Sequence, residues 1–249
     1  MKESGTIKRI ECSNCPLQKL NAFRDLSTSE LAFMTDFKQG EFSVDKRTHV
    51  LVEFSISPHV YTVLSGILIR FKTLEDGRRQ IVNYVFPGDL LGLQGAMHEP
   101  LTHGVEAMTD VKLCVFSRDR MIELFAQQPK LGFDMTWLVA KEEAALDEHL
   151  LALGQRTAKE RIAYLALFLF LRGQETGMTK GNVLELAITQ EQIADTVGLS
   201  LVHTNRTLQW LRKSGILTWT TEKIEIPDMP RAIDMAQYDH GSQSKRPFI

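Results

Sequence analysis

The sequence predicts a mixed α+β protein in which a β jelly roll, a long helix and a winged helix-turn-helix follow one another. Short β segments separated by turn residues fill Gly40 to Ser117, and such strands at ~8–12 residue spacing are typical of antiparallel barrels and jelly rolls. A helical pattern with no glycine between Gly132 and Gly154 follows. The stretch Thr189–Leu217 then has the pattern of two helices joined by a tight turn.

Composition limits the classes of protein that this chain can belong to. Its 249 residues suggest one or two domains, and a hydrophobic fraction of 43% is enough for a sizeable core. The net charge of −2 means that any nucleic-acid binding must depend on a local basic patch. Three cysteines are too few, and an odd number, for a disulfide framework.

We expect no membrane segment, no secretion signal and no catalytic site. No window of ~18 apolar residues exists, and the N-terminal stretch MKESGTIKRIECSNC lacks the apolar core of a signal peptide. A cytoplasmic location is therefore expected. No nucleophile–base motif and no Gly-rich phosphate loop is recognisable, so we predict that the protein is not an enzyme and has no catalytic residues.

The helix-turn-helix pattern is defined by its caps. Thr189 and Gln192 form a capping box, Gly198 can adopt the positive φ that ends a helix, and Ser200 starts the second helix. In that helix the predicted inner face is Leu201, Thr204, Leu208 and Leu211, and the predicted outer face is Val202, Asn205, Arg206 and Gln209. Residues 200–213 include Arg206, Arg212 and Lys213 and no acidic residue, which favours a DNA-reading helix over an ordinary helical hairpin.

The remaining C-terminal chain divides into a wing and a tail. Residues 217–226 have the pattern of a two-stranded wing with its turn near Thr221-Glu222. We place the winged helix-turn-helix domain at 156–228. Residues 229–249 are polar in composition, and we expect this tail to be disordered.

The long helix, placed at 130–155, has two apolar lines at helical spacing. The first line is Phe133, Trp137, Ala140, Ala144 and Leu151, and the second is Val139, Leu146, Leu150 and Leu153. Spacings of three and four favour a coiled-coil partner, and two lines allow one contact with the β-roll and one with a second copy. The alternative is that this helix packs only on its own roll.

The order of these parts and their motifs resemble the CRP/FNR family of bacterial transcription regulators. The motifs are Tyr61-Thr-Val-Leu-Ser-Gly66, Phe86-Pro-Gly-Asp-Leu-Leu-Gly92, Thr157-Ala-Lys-Glu-Arg-Ile-Ala163 and Val197-Gly-Leu-Ser200 through Arg206. The resemblance implies an N-terminal segment at 1–22, a cyclic-nucleotide-binding-type β-roll sensor at 23–129 and a dimerisation helix at 130–155. It also implies a homodimer on palindromic double-stranded DNA, a signal sensed in the N-terminal half and activation through RNA polymerase.

Cyclic AMP is not the effector that we expect. The cyclic-nucleotide branch of the family uses a Glu for the ribose and an Arg-Ser pair for the phosphate, since a buried phosphate requires a bidentate cation. Here Gln94 lies near the Glu position, and Thr102 and His103 take the place of the Arg-Ser pair. No arginine occurs between Arg79 and Arg118.

The cysteines resemble those of the oxygen-sensing FNR branch, which holds a [4Fe–4S] cluster on four cysteines. Cys12, Cys15 and Cys114 match three ligand positions, while Asn21 occupies the remaining one. Four interpretations stay open. The first is an iron–sulfur cluster whose fourth ligand is not a cysteine but Asp25, Glu11 or water. The second is a redox pair formed by the C-x-x-C cysteines, and the third is a zinc site completed by His49 or His103. The fourth is that the thiols have no role.

The resemblance also implies which residues read DNA. Arg206 matches the family arginine that contacts guanine, and Val202 replaces the family's reading glutamate, so the half-site is expected to differ from the usual one. The predicted DNA-contacting residues are Thr189, Gln190, Ser200, Val202, His203, Asn205, Arg206, Gln209, Arg212 and Lys213.

The sequence therefore predicts a homodimeric, sequence-specific transcription regulator with a redox or metal sensor in its N-terminal half. One alternative keeps the regulator and replaces the sensor by a small-molecule effector in the β-roll or by no cofactor. Another is a ligand-binding interaction module whose helix-turn-helix contacts proteins instead of DNA. The acid-free outer face of 200–213 argues against this last alternative.

Overall fold

A computed structural model of the chain describes residues 11–94, 99–238 and 245–249. These residues divide into two compact units. The roll unit contains the described residues up to 70, those between 85 and 141, and 245–249, whereas the helix-turn-helix unit contains 71–84 and 142–238.

Two four-stranded sheets form the predicted jelly roll. In chain order its strands are β1 (Lys38–Val44), β2 (His49–Leu51), β3 (His59–Ser65), β4 (Leu68–Thr73), β5 (Arg79–Val85), β6 (Leu90–Leu91), β7 (Gly104–Ala107) and β8 (Val111–Ser117). One sheet has the order β1-β8-β3-β6 and the other β2-β7-β4-β5. The first sheet is antiparallel, with Cys114 of β8 opposite Glu41 of β1 and Thr62 of β3.

Both faces of the sheet that contains β8 are apolar. Successive residues of a strand point to opposite faces, so Val111 and Leu113 pack inside the roll. Cys114 and Phe116 point to the outer face, where they join a second apolar cluster with Phe37. The first helix covers this outer face.

The helices follow the predicted order, and a third four-stranded sheet belongs to the helix-turn-helix unit. They are α1 (Thr28–Phe37), α2 (Met121–Gln127), α3 (Pro129–Gln155), α4 (Ala158–Glu175), α5 (Gln190–Val197), α6 (Leu201–Lys213) and α7 (Met229–Ala236), with 3₁₀ turns at Cys12–Asn14, Pro16–Lys19 and Arg118–Arg120. The strands β9 (Thr179–Lys180), β10 (Val183–Glu185), β11 (Thr218–Trp219) and β12 (Lys223–Glu225) pair in the order β11-β12-β10-β9. In the described part of the chain, no helix combines the length and the apolar character needed to cross a membrane.

The long helix is confirmed, but its buried face is not one of the two predicted lines. Leu131, Met135 and Leu138 are its large buried apolar side chains in the roll unit, at spacings of four and three. The first predicted line stays largely uncovered, with Phe133 69% and Leu151 46% exposed.

The expectation of a disordered tail is wrong for the described residues of 229–249. Residues Met229–Ala236 form α7, which begins at Asp228, whose side chain accepts a hydrogen bond from the Arg231 amide. Ala232 and Ala236 are completely buried, and they lie on the side of α7 that packs on α4. The helix is short and buries only small side chains, and the polar composition of the whole stretch 229–249 conceals it, which explains the error. Residues 245–249 are also ordered and belong to the roll unit.

A buried ion cluster joins α1 to α3 in the roll unit. The Arg24 guanidinium donates to the Glu30 Oε1 at 2.8 Å and, through its Nε, to the Asp134 Oδ2 at 2.8 Å. Glu30 also completes a capping box with Ser27. Burial opposes ionisation of Glu30, but hydrogen bonds from Arg24 and Ser27 lower its pKa from 4.5 to about 2.

We predict that Glu30→Gln removes an acid-sensitive part of the stability. Because the folded-state pKa is depressed, the stabilisation is complete above the unfolded pKa and is lost as the pH falls from about 5 towards 2. Urea unfolding should therefore show a loss of about 3 kcal/mol for Glu30→Gln at pH 7 that shrinks to about 1.4 kcal/mol near pH 3 and towards zero below about pH 2. Glu222→Gln, the same change on the exposed wing, is the control. A pH-independent difference for Glu30→Gln would contradict the prediction.

Candidate DNA-binding surface and cysteine site

The first helix of the helix-turn-helix begins and ends as its sequence predicts. The Thr189 hydroxyl accepts from the Gln192 amide at 3.1 Å, and the Thr189 amide donates to the Gln192 side chain at 2.9 Å. Gly198 has φ 64° and ends α5. A Cβ at this position would lie 3.3 Å from the Leu153 side chain, so the turn needs glycine both for its φ and for this close approach.

The second helix has a buried face and an exposed face. The Ser200 hydroxyl accepts from the His203 amide at 3.3 Å and caps α6, and Thr204, Leu208 and Leu211 are buried as predicted. Leu201, predicted on the inner face, is instead 49% exposed. Thr207, which the periodicity did not indicate, is buried.

The exposed face of α6 has the side chains predicted to contact DNA. Val202, His203, Arg206, Gln209, Arg212 and Lys213 are exposed, and Asn205 is partly exposed. Thr189 is exposed and Gln190 partly exposed at the start of α5. None of the described residues forms a hydrogen bond or an ion pair with the Arg206 guanidinium. Its five N–H donors are therefore available to an external acceptor.

The wing follows α6 and is confirmed. β11 pairs with β12 in antiparallel register, with Trp219 opposite Ile224. The Thr220 amide donates to the Lys223 carbonyl at 2.9 Å, so the turn falls where the sequence places it. β12 also pairs with β10, which joins the wing to the segment before α5.

The three cysteines meet on the outer face of the roll. Cys12 and Cys15 are partly buried and pack against the same apolar cluster that contains the buried Cys114. All three are free thiols. Burial raises the pKa of Cys114 to about 12, and burial also raises the pKa of Cys15.

A buried ammonium group lies beside these thiols. Lys38 is 3% exposed, and its Nζ lies 2.6 Å from the Glu41 Oε1. Burial alone would lower its pKa, but the hydrogen bond to the Glu41 carboxylate and the charge of that carboxylate raise it, so Lys38 stays protonated. Lys38 pairs with Phe116 and Glu41 with Cys114 between β1 and β8, which explains why this ion pair sits at the cysteines.

The described donors do not fit an iron–sulfur cluster or a zinc site. Within residues 11–94, 99–238 and 245–249, no group of three or more Cys, His, Asp or Glu side chains is arranged to hold a metal ion. Asn21 is exposed, and Asp25, one of the suggested substitute ligands, is 92% exposed.

Comparison with known proteins identifies both parts of the chain. Residues 41–128 match the cyclic nucleotide-binding domain, and residues 160–231 match the Crp-like helix-turn-helix domain. The nitrogen fixation regulation protein FixK of Azorhizobium caulinodans is 30% identical over 173 residues, which cover 70% of this chain and 69% of that protein. The chain belongs to the CRP/FNR family of transcription regulators.

Two further relatives agree with this assignment. The transcriptional activator protein FnrL of Cereibacter sphaeroides is 28% identical over 232 residues, 92% of each chain. The structure of FixK2 from Bradyrhizobium japonicum is 27% identical, covers 78% of this chain and 96% of its own, and superimposes with a TM-score of 0.69. Members of the CRP/FNR family regulate transcription, and this chain is not an enzyme.

The residues at the cyclic-nucleotide positions of this CRP/FNR protein bond to one another. The Gln94 Oε1 accepts from the Thr102 hydroxyl at 2.8 Å and from the Thr102 amide at 3.3 Å. His103, at the other position of the family's phosphate pair, is 6% exposed. His98 lies outside the described residues. The stretch between Arg79 and Arg118 contains no arginine, so it has no guanidinium that could bind a phosphate.

The β5 strand contacts α5 in the helix-turn-helix unit, a feature that the sequence did not indicate. The Tyr84 hydroxyl lies 2.9 Å from the Thr196 hydroxyl, and the Gln80 side chain donates to the Thr196 carbonyl at 2.9 Å. The Arg79 Nε lies 3.7 Å from the Asp195 carboxylate. No local pattern predicts these contacts, because more than a hundred residues separate their partners.

A partly buried histidine, His149, extends this set of contacts to α3 and α4. The Asn83 Oδ1 accepts from the His149 Nε2 at 3.1 Å, so the His149 Nδ1 is free to accept from the Tyr164 hydroxyl at 2.9 Å. The Asn83 amide donates to the Glu142 Oε1 at 3.0 Å. Of these groups, His149 and Tyr164 line a cavity of about 140 Å³ with mainly apolar walls from β5, α3, α4 and α5.

Proposed function

We propose that the protein is a sequence-specific transcriptional activator that binds palindromic double-stranded DNA as a homodimer. The observation that supports DNA reading best is the exposed face of α6, which has basic side chains, no acidic residue and an unpaired Arg206 guanidinium. FnrL, a relative over most of the chain, is named a transcriptional activator. We extend this role, which includes contact with RNA polymerase, to the present chain as part of the proposal.

The contacts proposed for each residue follow from the geometry of α6. Arg206 would donate two hydrogen bonds to the O6 and N7 acceptors of one guanine, and Val202 would pack against a thymine methyl group. Asn205 and Gln209 would reach neighbouring bases. The amides at the starts of α5 and α6, capped by Thr189 and Ser200, would face phosphates together with Gln190, His203, Arg212 and Lys213.

Arg206→Ala should reduce sequence discrimination without a general loss of DNA affinity. A palindrome selected from a random duplex pool and a scrambled duplex are compared at fixed salt. The ratio of the two affinities should fall at least about 30-fold for Arg206→Ala, because each of the two half-sites loses a bidentate contact to guanine that contributes about 1–3 kcal/mol of discrimination.

Arg212→Ala should weaken both affinities equally and lower the salt slope by about 2, as expected for the loss of one phosphate contact in each half-site.

Arg78→Ala is the matched control for these variants. It removes the same charge from an exposed side chain that pairs with Asp76 at the β4–β5 turn, outside α5 and α6. An unchanged affinity ratio in Arg206→Ala, with Arg78→Ala as the reference, would refute the assignment of α6 as the reading helix.

Dimerisation is supported by the apolar residues that α3 leaves uncovered. Phe133 is 69%, Val139 50%, Leu150 70% and Leu151 46% exposed, and they follow the two lines predicted from the sequence. A twofold-symmetric interface would place these lines against the same lines of a second copy. The burial of such side chains is a sufficient driving force for association.

We expect Leu150→Asp to convert the dimer to a monomer. In a twofold interface the substitution occurs twice, so the loss of about 1.5–3 kcal/mol per side chain raises the dissociation constant at least about 100-fold. Sedimentation across a concentration series measures the shift. Lys141→Asp, on the same helix but exposed and polar, should leave the dimer intact. A dimer of unchanged affinity in Leu150→Asp would exclude α3 as the interface.

We further propose that the signal is sensed by the three cysteines as thiols. All three cysteines of the chain meet in one cluster on the outer face of the roll, beside the buried Lys38. Their arrangement does not fit a metal site, as described above. The alternative of a small-molecule effector at the cyclic-nucleotide positions of the roll is less well supported, because Gln94 and Thr102 bond to each other there.

Protein purified without oxygen should be colourless and should contain no stoichiometric iron or sulfide. Treatment with a thiol oxidant should change DNA affinity in the wild-type protein but not in Cys15→Ser. Ser13→Ala, a neutral change in the same turn, should respond like the wild type. Iron and acid-labile sulfide in whole-number ratios would show instead that the segment rearranges to hold a cluster.

A further inference from the structure

The segment Lys245–Ile249 is built into the roll unit. Its last three residues are buried, and Phe248 and Ile249 are only 4% and 5% exposed. Both belong to the outer apolar cluster that also contains Leu17, Phe23 and Cys114. A segment that merely lies on a surface would not bury three consecutive side chains.

Main-chain hydrogen bonds fix the register of this segment. The Arg246 amide donates to the Ala22 carbonyl at 2.7 Å, and the Arg24 amide donates to the Arg246 carbonyl at 2.9 Å. The pair forms a parallel β bridge between Phe23 and Arg246. Pro247 has no N–H, so the pairing ends there without leaving a buried donor unsatisfied.

Side chains provide the specificity of the contact. The Arg246 guanidinium pairs with the Asp89 carboxylate and also lies over the Trp137 ring at 5.9 Å. The Phe248 ring meets the Phe23 ring edge to face, with centroids 5.5 Å apart. The Thr62 hydroxyl donates to the Ile249 carbonyl. Added β pairing, with pockets for alternate side chains, is a common way in which proteins bind extended peptides.

The segment also lies beside the cysteines. Thr62, which bonds to Ile249, is directly opposite Cys114 across the β3–β8 pair. Cys12 and Cys15 pack against the same cluster as Phe248 and Ile249. The segment is therefore part of the apolar cluster against which all three cysteines pack.

We propose that the roll unit contains a peptide-binding groove whose occupant is this chain's own segment Lys245–Ile249, and that this segment shields the three cysteine thiols. The groove recognises an arginine through Asp89, an extended backbone through Ala22 and Arg24, and an aromatic–aliphatic pair through Phe23 and the outer cluster. This inference goes beyond the proposed function, since it holds whether or not the cysteines sense a signal.

The experiment measures the rate at which each thiol of the full-length, reduced protein reacts with an aromatic disulfide reagent, with the modified peptides identified by mass spectrometry. In the double variant Phe248→Ala/Ile249→Ala, Cys15 and Cys114 should react at least about tenfold faster, because two buried side chains that hold the segment are truncated. Arg246→Glu, which creates no cavity, should also increase the rate of thiol modification.

Lys245→Glu is the matched control. Lys245 is 60% exposed and its Nζ is 3.9 Å from the exposed Asp25, so this change should alter the thiol rates less than about twofold. Circular dichroism and urea unfolding confirm that each variant remains folded before its rates are compared.

A peptide with the sequence of residues 245–249 tests the groove itself. Added at up to about 10 mM, above the effective concentration of a short tether, it should restore slow thiol modification in the double variant. The same peptide with glutamate in place of arginine should not restore it.

Unchanged thiol rates in the double variant, or no protection by the peptide, would overturn the proposal. A change in oligomeric state on Phe248→Ala/Ile249→Ala would assign the occupant to a second copy and overturn the assignment to the same chain.

Discussion

The roll unit depends on one constraint, which is that the sheet β1-β8-β3-β6 has apolar side chains on both faces. Strand geometry sends Leu113 to the inside of the roll and Cys114 to the outside, and both are buried. The second sheet covers the inner face. The outer face needs further cover, which α1, the start of α3, the cysteine segment and the segment Lys245–Ile249 provide together. The two chain segments are thus parts of a core, because without them apolar surface would be left in contact with water.

Features that depend on neighbouring residues could be predicted from the sequence. The capping boxes at Ser27 and Thr189, the turn at Gly198 and the cap at Ser200 all lie within four residues of their partners. The contact between Arg246 and Asp89 could not be predicted, because 157 residues separate them and a five-residue segment has no periodicity. The same applies to Tyr84 and Thr196. The cysteine site was predictable only in part. The family resemblance indicated Cys12, Cys15 and Cys114, but it did not indicate the buried Lys38 beside them.

The long helix shows a second limit of periodicity. Its apolar residues form more than two lines, and spacing alone does not decide which line faces the protein's own core. That choice is made by Gly132, where a Cβ would lie 2.6 Å from the Phe125 ring, so that only glycine lets α2 approach this side of α3. Leu131 and Met135 are then buried on that side. The lines predicted from the sequence remain free, and a free apolar line of this length is typical of an interface.

The charge of the chain connects the proposed DNA contacts to the proposed dimer. A net charge of −2 provides no long-range attraction to DNA, so the affinity must arise from cations within about one Debye length, roughly 8–10 Å, of the phosphates. On α6 these are Arg206, Arg212 and Lys213, which are too few for tight binding by one copy. Two copies joined through α3 would bind the second half-site at a high effective concentration, and their affinities would combine. The exposed apolar line on α3 would hold two copies together, and the two basic faces of α6 would then bind one DNA molecule. Tight DNA binding therefore depends on both features in the proposed dimer.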